Sequence, residues 1–115
     1  MNIQKELSKG SSSLLVLSVL GTGDMYGYQI IKEIEQRSEF VFSFKEGTLY
    51  PILHGFEQEG LVKSYWQDGE RGKRRKYYHI TDRGLQMLNK STEDWHSYSS
   101  AVEKVIRSGL APSAV

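Results

Sequence analysis

Apolar residues recur along the chain at two spacings, and the two spacings predict different elements. Steps of three and four residues, which place apolar side chains on one face of a helix, are found in four segments: residues 3–20, 26–37, 46–59 and 81–107. Two shorter segments are rich in Val, Tyr, Trp and Ile, a composition typical of strands: residues 61–66 and 75–80. The chain is therefore predicted to fold as three helices, a β-hairpin and a long last helix.

Glycine and proline indicate where the first three helices begin and end. Residues 21–24 combine two glycines with Thr and Asp, which predicts a turn after the first helix. Pro51 is tolerated near the first turn of a helix but not deep inside one, so we expect the regular part of the third helix to begin close to Gly47 or Thr48. Gly60 then predicts a left-handed end for that helix.

The other connections are less regular. Residues 38–44 hold three phenylalanines at alternate positions, which resembles a strand, but the segment is short and we predict a packed connector. Residues 67–74 form a polar, glycine-containing loop that is too long for a tight hairpin turn. The Thr-Asp pair at residues 81–82 is placed to cap the last helix. Tyr77 and Tyr78 point to opposite faces of a strand, so we expect one of them in the core, and the sequence does not say which.

Composition narrows the class of protein. The chain has 115 residues, of which 38% are hydrophobic and 25% charged, so we expect one folded domain rather than a disordered chain. It has no cysteine, which excludes disulfides, thiolate zinc sites and a cysteine nucleophile. No apolar stretch approaches the roughly 18–20 residues that a membrane-spanning helix needs. Together these features lead us to expect a cytoplasmic protein.

Positive charge is concentrated in one segment. The net charge is only +1, yet five basic residues fall within residues 71–76. The rest of the chain, without those five charges, has a net charge of −4 and is mildly acidic. A basic segment of this kind favours an anionic partner that binds at one place rather than over the whole surface.

The order of the elements is that of a winged helix-turn-helix, within an α+β fold that is mostly α. The apolar stripes of the second and third helices can pack across each other and leave one polar helix face outward. The major groove of DNA is wide enough to accept such a helix. The basic hairpin would lie beside it, against phosphates or in the minor groove.

Four segments resemble the PadR family of transcriptional regulators: DMYGYQI at residues 24–30, EGTLYPIL at 46–53, EQEGL at 57–61 and RRKYYHITDRG at 74–84. They occur in the family's order and spacing, and the single helix after the wing resembles the family's small branch. The resemblance implies a winged helix-turn-helix with a long C-terminal dimerisation helix. It also implies a dimeric, sequence-specific DNA-binding repressor that leaves DNA when a small molecule or a stress signal acts.

The resemblance assigns the DNA-binding residues by position. It makes the third helix the recognition helix, with Lys45 and Thr48 at its N-terminal end and Tyr50 as a DNA-facing tyrosine. The wing residues expected to contact DNA are all basic: Arg71, Lys73, Arg74 and Lys76. Other interpretations stay open, since Thr48 is also suited to cap a helix, Tyr50 to pack in a core, and the basic run to form a solvated loop.

The last helix carries an apolar seam with heptad-like steps of four and three: Leu85, Leu88, Thr92, Trp95, Ser99, Val102 and Ile106. A helix of about 29 residues is ~43 Å long, more than the rest of so small a domain can cover. We therefore predict that it pairs with a second chain, helped by the first helix, through Leu85, Leu88, Trp95, Val102 and Ile106. A two-fold dimer would present two recognition helices to inverted half-sites about one DNA turn, ~34 Å, apart.

Trp95 stands between two small seam residues, Thr92 and Ser99, which would leave a slot beside a pair of tryptophans at the dimer axis. By analogy with small PadR-like regulators, such a slot takes a planar aromatic molecule, and first-helix residues would line it as well: Leu7, Gly10 and Leu14. The plainer interpretation is that the small residues only make room for a packed Trp95. Asp94 is expected on a different face of the helix, so the sequence leaves the charge of a ligand open.

Other classes of protein are less well supported. The chain has no GxSxG, no phosphate-binding loop and no cluster of histidine with carboxylates, so we expect no enzyme, no catalytic residue and no cofactor. The three histidines, at positions 54, 79 and 96, do not have metal-ligand spacing, so no metal site is expected. The main alternative is a winged helix that docks protein partners and does not bind DNA.

These predictions divide the chain into three parts. Residues 1–80 form the DNA-binding unit, and their first 20 residues also join the dimer interface. Residues 81–109 form the dimerisation helix, and residues 110–115 form a frayed tail.

Overall fold

The structure is a computed structural model that describes residues 3–110, with side chains from residue 10 onward. Its helices are α1 (Ile3–Leu20), α2 (Gly27–Arg37), α3 (Glu46–Gln58) and α4 (Asp82–Leu110). Its strands are β1 (Met25–Tyr26), β2 (Val62–Asp68) and β3 (Arg74–Ile80), which form an antiparallel sheet in the order β1-β3-β2. The fold is mostly helical with a small sheet and a long last helix, which confirms the predicted fold class.

The hydrophobic core lies where α1, α2, α3 and the sheet meet. Its most deeply buried side chains are those of Val16, Leu20, Ile30, Leu49 and Leu53. These residues come from the apolar stripes that predicted the first three helices. Because burying apolar surface contributes about 25 cal/mol per Å², this contact holds α3 at a fixed angle on the rest of the fold.

The structure adds a strand that the sequence pattern does not predict. Met25 and Tyr26 pair with Tyr78 and Tyr77 of β3. Consequently α2 begins at Gly27, and the residues before it tie this helix to the hairpin. A strand of two residues is too short to produce a recognisable alternation of apolar and polar positions, so the pattern contains no signal for it.

The hairpin is longer, and its loop shorter, than the sequence predicts. β2 and β3 pair along seven residues each, as far as Asp68 opposite Arg74. The loop therefore comprises residues 69–73 and not 67–74, and it turns through Arg71 in a left-handed conformation, with a φ of 62°. The polar residues at the strand ends stay paired because an antiparallel ladder is formed by backbone groups, whatever the side chains are.

Alternation along the strands gives the hairpin two faces, which we call inner and outer. The inner face, on the side of α3, carries Val62, Ser64, Trp66, Asp68, Arg74, Lys76, Tyr78 and Ile80. The outer face carries Lys63, Tyr65, Gln67, Arg75, Tyr77 and His79. Of the adjacent tyrosines, Tyr78 is thus the core residue and Tyr77 the half-buried one.

The connector between α2 and α3 packs only in part. Phe44 is buried and Phe42 packs against the core, as a packed connector requires, but Phe40 is 74% exposed. The prediction is wrong for Phe40 because the chain leaves α2 through two left-handed residues, Glu39 and Phe40, with φ values of 52° and 65°. The Phe40 N–H donates back into the last turn of α2 at 2.7 Å, and the alternation that would bury all three rings is lost.

The beginning of α4 is fixed tightly on the sheet. Thr81 is the capping residue, since its hydroxyl oxygen accepts a hydrogen bond from the Gly84 N–H at 3.0 Å. The same hydroxyl donates to the Gly60 carbonyl at 2.7 Å. Gly84 is buried, and any side chain there would collide with the carbonyl of Leu61. The helix therefore approaches the start of β2 at a distance that only glycine permits.

The far end of α4 leaves the rest of the fold. Leu88 still packs against the core, whereas residues 101–110 are all exposed. Leu110 is helical, so the prediction that the frayed tail begins there is wrong. Residues 111–115 lie outside the described part of the chain.

Candidate nucleic-acid interface

The first turn of α3 faces solvent. Lys45 is its N-cap and makes no side-chain capping bond, and the next three residues are all exposed: Glu46, Gly47 and Thr48. The N–H groups at a helix N-terminus lack partners within the helix and attract anions. Thr48 lies inside the helix, with its backbone N–H donating to the Lys45 carbonyl at 3.0 Å, so the interpretation of Thr48 as a helix cap is wrong.

The exposed face of α3 continues beyond this turn. Its residues recur at helical spacing: Gly47, Tyr50, Pro51, His54 and Gln58. The helix begins at Glu46, earlier than expected, so Pro51 lies inside it. Proline cannot donate to the Gly47 carbonyl, but both residues are exposed, and solvent can satisfy that carbonyl. The proline is thus tolerated because it lies on the open face.

Tyr50 joins α3 to α2 and is still partly open. Its ring packs over Gly27, where an added Cβ would collide with the tyrosine hydroxyl. Tyr50 is nevertheless 44% exposed, so it is not a core aromatic. Its role as a DNA-facing residue stays a prediction, and its ring lies on the open face of α3.

Three of the five clustered cations lie at the end of the hairpin, which we call the tip: Arg71, Lys73 and Arg74. All three are exposed. Arg74 forms an ion pair with Asp68 at 3.6 Å, but both side chains are mostly in solvent, where such a pair contributes roughly 0–1 kcal/mol. An anionic partner can therefore replace this contact at little cost.

Lys76 is directed toward α3 and not toward the tip. Its ammonium lies 3.5 Å from a carboxylate oxygen of Glu57 and 5.6 Å from the ring centre of Tyr78. Glu57 also accepts a hydrogen bond from the Ser64 hydroxyl at 2.8 Å. Burial, together with the neighbouring Glu57 and Tyr50, raises the pKa of Tyr78 to about 12, so this phenol stays neutral. Lys76 thus connects the hairpin to α3, and its expected contact with DNA stays a prediction.

Arg75 and three tyrosines hold the outer face of the hairpin against the start of α2. The Arg75 guanidinium lies 4.3 Å from the ring centre of Tyr26. Tyr77 packs edge-on against Tyr26, with ring centres 5.4 Å apart, and stacks on Tyr65 at 5.6 Å. Aromatic pairs of this kind contribute about 0.5–1.5 kcal/mol each beyond the area that they bury. The contacts fix the direction in which the hairpin leaves the domain.

Asp24, in the turn before α2, is bonded to both strands of the hairpin. One of its carboxylate oxygens accepts a hydrogen bond from the Tyr65 hydroxyl at 2.7 Å, and the other lies 2.8 Å from Nδ1 of His79. Partial burial acts to raise the pKa of Asp24, but the two hydrogen bonds and the nearby imidazole outweigh it, so the pKa is lowered. The same hydrogen bond raises the pKa of Tyr65. Sequence reasoning missed this group because its members come from three separate elements.

A groove of about 660 Å³ runs between α1 and α4. Its lining comes from both helices: Gly10, Ser13, Leu14, Ser91, Asp94, Trp95, Tyr98, Ser99, Val102 and Glu103. Trp95 is 42% exposed there, and its ring centre lies 6.2 Å from that of Tyr98. The groove brings together four residues of the predicted ligand slot: Gly10, Leu14, Trp95 and Ser99.

Among the side chains that the structure describes, Thr92 of the predicted slot is not found in the lining of the groove, and Asp94 is found there. Thr92 does not line the groove, because its hydroxyl donates to the Leu88 carbonyl at 2.7 Å within α4. The side chain of Leu7 lies outside the described part of the chain. Asp94 also lines the groove, together with Glu103, although adjacent positions of a helix such as Asp94 and Trp95 point about 100° apart. The groove is wide enough to include neighbouring positions of one helix. Of its two carboxylates, that of Asp94 lies 3.6 Å from the Lys90 ammonium and that of Glu103 lies 3.8 Å from the Arg107 guanidinium, and all four side chains are mostly in solvent.

The apolar seam of α4 is open along most of its length. Leu85, Trp95, Val102 and Ile106 are each between 39% and 48% exposed. Leu88 is the exception among the predicted interface residues, since it packs against the core of its own chain. Further exposed apolar side chains lie on the same helix: Met87, Tyr98, Val105 and Leu110. A helix with so much apolar surface in water is typical of an interface.

Two features are absent from the part of the chain that the structure describes. Among the side chains of residues 10–110, no group of three or more His, Cys, Asp or Glu is arranged to hold a metal ion. None of the helices in residues 3–110 is long and apolar enough to cross a membrane.

Known proteins share both the sequence pattern and the fold. The profile of the Transcriptional regulator PadR-like family matches residues 16–90. The structure of a transcriptional regulator from Clostridium thermocellum is 34% identical, has a TM-score of 0.80, and covers 89% of this chain and 99% of its own. The crystal structure of a PadR family transcriptional regulator from Eggerthella lenta is 35% identical, with a TM-score of 0.78, and covers 89% of this chain and 87% of its own.

Another similar protein is also a transcriptional regulator. Transcriptional regulator YqjI of Escherichia coli is 29% identical over 90 residues, which are 78% of this chain and 42% of that protein. The family consists of regulators and not of enzymes, which agrees with the lack of a reactive motif in the sequence. The matched segment includes the last five residues of α1, the helices α2 and α3, the hairpin and the start of α4. This chain belongs to the PadR-like family of transcriptional regulators.

Proposed function

We propose that this regulator binds a specific DNA operator as a homodimer and represses transcription until a small molecule or a stress signal releases it. The observation that carries the proposal is that one chain presents both an open N-terminal half of α3 and a cationic tip on the hairpin. The residues proposed to contact DNA belong to these two places: Lys45, Thr48, Tyr50, Arg71, Lys73 and Arg74. As a cytoplasmic protein it would have direct access to DNA.

The dimensions and charges of this surface suit duplex DNA. A helix with its side chains is about 10–12 Å wide, and the major groove is about 12 Å wide. The exposed Thr48 and Tyr50 would face base edges, while Lys45 and the helix N-terminus would face phosphates. Each cation of the tip that neutralises a phosphate adds about 0.9 to the slope of log affinity against log salt.

The distal half of α4 supports a dimer. Its apolar side chains have no cover within the described part of the chain, and burial against a second copy would remove them from water. Residues 81–109 would then serve as the dimerisation helix and residues 1–80 as the DNA-binding unit, with α1 lying against the interface. Two-fold symmetry would present the two α3 helices to half-sites of an inverted repeat about 34 Å apart.

The groove between α1 and α4 is the proposed ligand site. Trp95 and Tyr98 offer aromatic surface, and Asp94 and Glu103 offer two carboxylates, a combination that suits a planar aromatic cation. The groove shares Trp95, Ser99 and Val102 with the seam of α4 that is proposed to form the dimer. A ligand that widens it would change the distance between the two α3 helices, and this couples ligand binding to release of DNA.

In vitro selection from random duplex DNA, with purified protein at near-physiological salt, tests the function. The expected result is enrichment of an inverted repeat whose half-sites lie about one helical turn apart. Binding without enrichment would show an electrostatic DNA binder without sequence preference. Absence of binding even at low salt would contradict the proposal and favour the alternative, a winged helix that docks protein partners.

A further inference from the structure

Trp66 is an exposed indole on the inner face of the hairpin. It is 58% exposed, although tryptophan is the side chain that gains most from leaving water. Its partner across the strands is Lys76, and the guanidinium carbon of Arg74 lies 5.8 Å from its ring centre. These contacts leave most of the ring in solvent, so the stability of the fold does not account for a tryptophan at this position.

The position of Trp66 on the hairpin indicates which kind of partner would cover its ring. On the same strand and face, Ser64 lies beside α3, where it bonds to Glu57. Trp66 is two residues farther along β2, ~6.6 Å at about 3.3 Å per residue, and the cationic tip begins after Asp68. Along the inner face of the hairpin, Trp66 therefore lies between the contact with Glu57 of α3 and the tip. A duplex that spans α3 and the tip would lie close to this ring.

We propose that Trp66 packs against a deoxyribose of duplex DNA, with Arg74 beside it on a neighbouring phosphate. This proposal rests on the proposed DNA binding. Deoxyribose presents apolar C–H groups to the ring, and phosphates flank it on both sides. A guanidinium stacked on an aromatic face is held in place for a phosphate contact and loses less freedom on binding. Because the contact involves the DNA backbone, it positions the protein on the duplex and does not read sequence.

The affinity for the operator recovered by in vitro selection gives the first test. Removing about 50 Å² of buried indole, at about 25 cal/mol per Å², predicts a roughly eightfold weaker complex for Trp66→Ala. Trp66→Phe keeps an aromatic ring and is expected to stay within about twofold of the wild type. The matched control is Gln67→Ala, the next residue on the same strand, which lies on the outer face and is expected to leave affinity unchanged. Thermal unfolding of each variant checks that the hairpin is intact.

Hydroxyl-radical footprinting gives the second test, because the radical attacks deoxyribose directly. At saturating protein, Trp66→Ala is expected to lose protection at one or two sugars in each half-site and to keep the rest of the footprint. Trp66→Phe is expected to restore the protection. An unchanged Trp66→Ala footprint would overturn the contact, and a loss of affinity with that same footprint would show that Trp66 acts only on the hairpin's structure. If wild-type protein binds no duplex, the proposed function fails and this proposal fails with it.

Discussion

The winged part of the molecule, residues 10–88, and the distal part of α4, residues 101–110, differ in whether their apolar side chains are buried within the chain. From residue 10 to Leu88, apolar side chains cluster in a core, and the hairpin is held on both faces by named contacts. From residue 101 onward every residue of α4 is exposed, including Val105 at 72% and Leu110 at 77%. The first region packs its apolar side chains within one chain, whereas the second is apolar along a seam that the described part of the same chain does not cover.

The two regions would carry different parts of the proposed function. Contacts within one chain hold the hairpin on the rest of the fold, so in the proposed complex one chain alone would form the surface for one DNA half-site. The distance between the two half-sites would be set by how two α4 helices meet. A ligand in the groove between α1 and α4 would then change the spacing of the two DNA-binding units without disturbing either of them.

The largest effect is expected where the two regions join. Gly84→Ala puts a Cβ against the backbone carbonyl of Leu61, which cannot move as a flexible side chain would. We expect a loss of about 2–3 kcal/mol in the free energy of unfolding, measured by urea denaturation. The matched control is Gly109→Ala on the same helix, where the added Cβ meets open space and no loss is expected. Equal stability of the two variants would show that α4 does not sit tightly on β2.

The second largest effect is expected in the apolar seam of α4. Val102→Glu places a charge in the predicted dimer interface, where burying it without a partner is costly. We expect the dimer dissociation constant, measured by sedimentation equilibrium, to rise about 100-fold or more. Ser97→Glu adds the same charge to an exposed position on the other side of α4 and is expected to leave the dimer intact. A Val102→Glu protein that dimerises normally would contradict the assignment of the seam.

The cationic tip is the next target. Replacing Lys73 and Arg74 together by alanine is expected to weaken binding similarly on all duplexes and to lower the log–log salt slope by about one to two units. Lys63→Ala, an exposed lysine on the outer face, is the control and is expected to leave the slope unchanged. A slope that is the same for the double variant and the wild type would show that the tip does not touch phosphate.

The charge of the groove can be tested with ethidium as a planar aromatic cation. Replacing Asp94 by Asn and Glu103 by Gln is expected to weaken its binding about tenfold, measured by fluorescence anisotropy, since two partly exposed carboxylates each contribute about 0.5–1 kcal/mol. An uncharged planar aromatic such as phenanthridine should bind the double variant and the wild type alike. Equal ethidium affinities would show that the carboxylates do not select charge.

The smallest effect is expected at Asp24. Because its pKa is lowered in the folded state, its carboxylate stabilises the fold above its ordinary pKa of 3.8, and this contribution is lost as the pH falls through the folded pKa. Asp24→Asn should therefore lower the free energy of unfolding at pH 7 by less than about 1 kcal/mol, since the side chain is partly in solvent. The difference should shrink below pH 3.8 in urea denaturation. A difference that is constant with pH would exclude the charge of the Asp24 carboxylate as its cause.

The sequence predicts those parts of the structure that depend on local periodicity. The helices, the two long strands and the basic tip follow from spacing and composition. Three features depend on residues far apart in the chain, so no local spacing predicts them: the pairing of β1 with β3, the hydrogen bonds of Asp24, and the direction of Lys76 toward α3. Phe40 departs from its alternating pattern because a left-handed turn intervenes, and Asp94 reaches the groove because the groove is wider than a single helical stripe.

In the proposed complex, two α3 helices, held apart by paired α4 helices, read DNA together. The spacing between the half-sites of the selected operator is the variable that tests this arrangement. Inserting five base pairs, about half a helical turn, turns the half-sites to opposite sides of the duplex, so affinity should fall to that of a single half-site. Affinity that does not depend on the spacing would contradict the account, because each DNA-binding unit would then act alone.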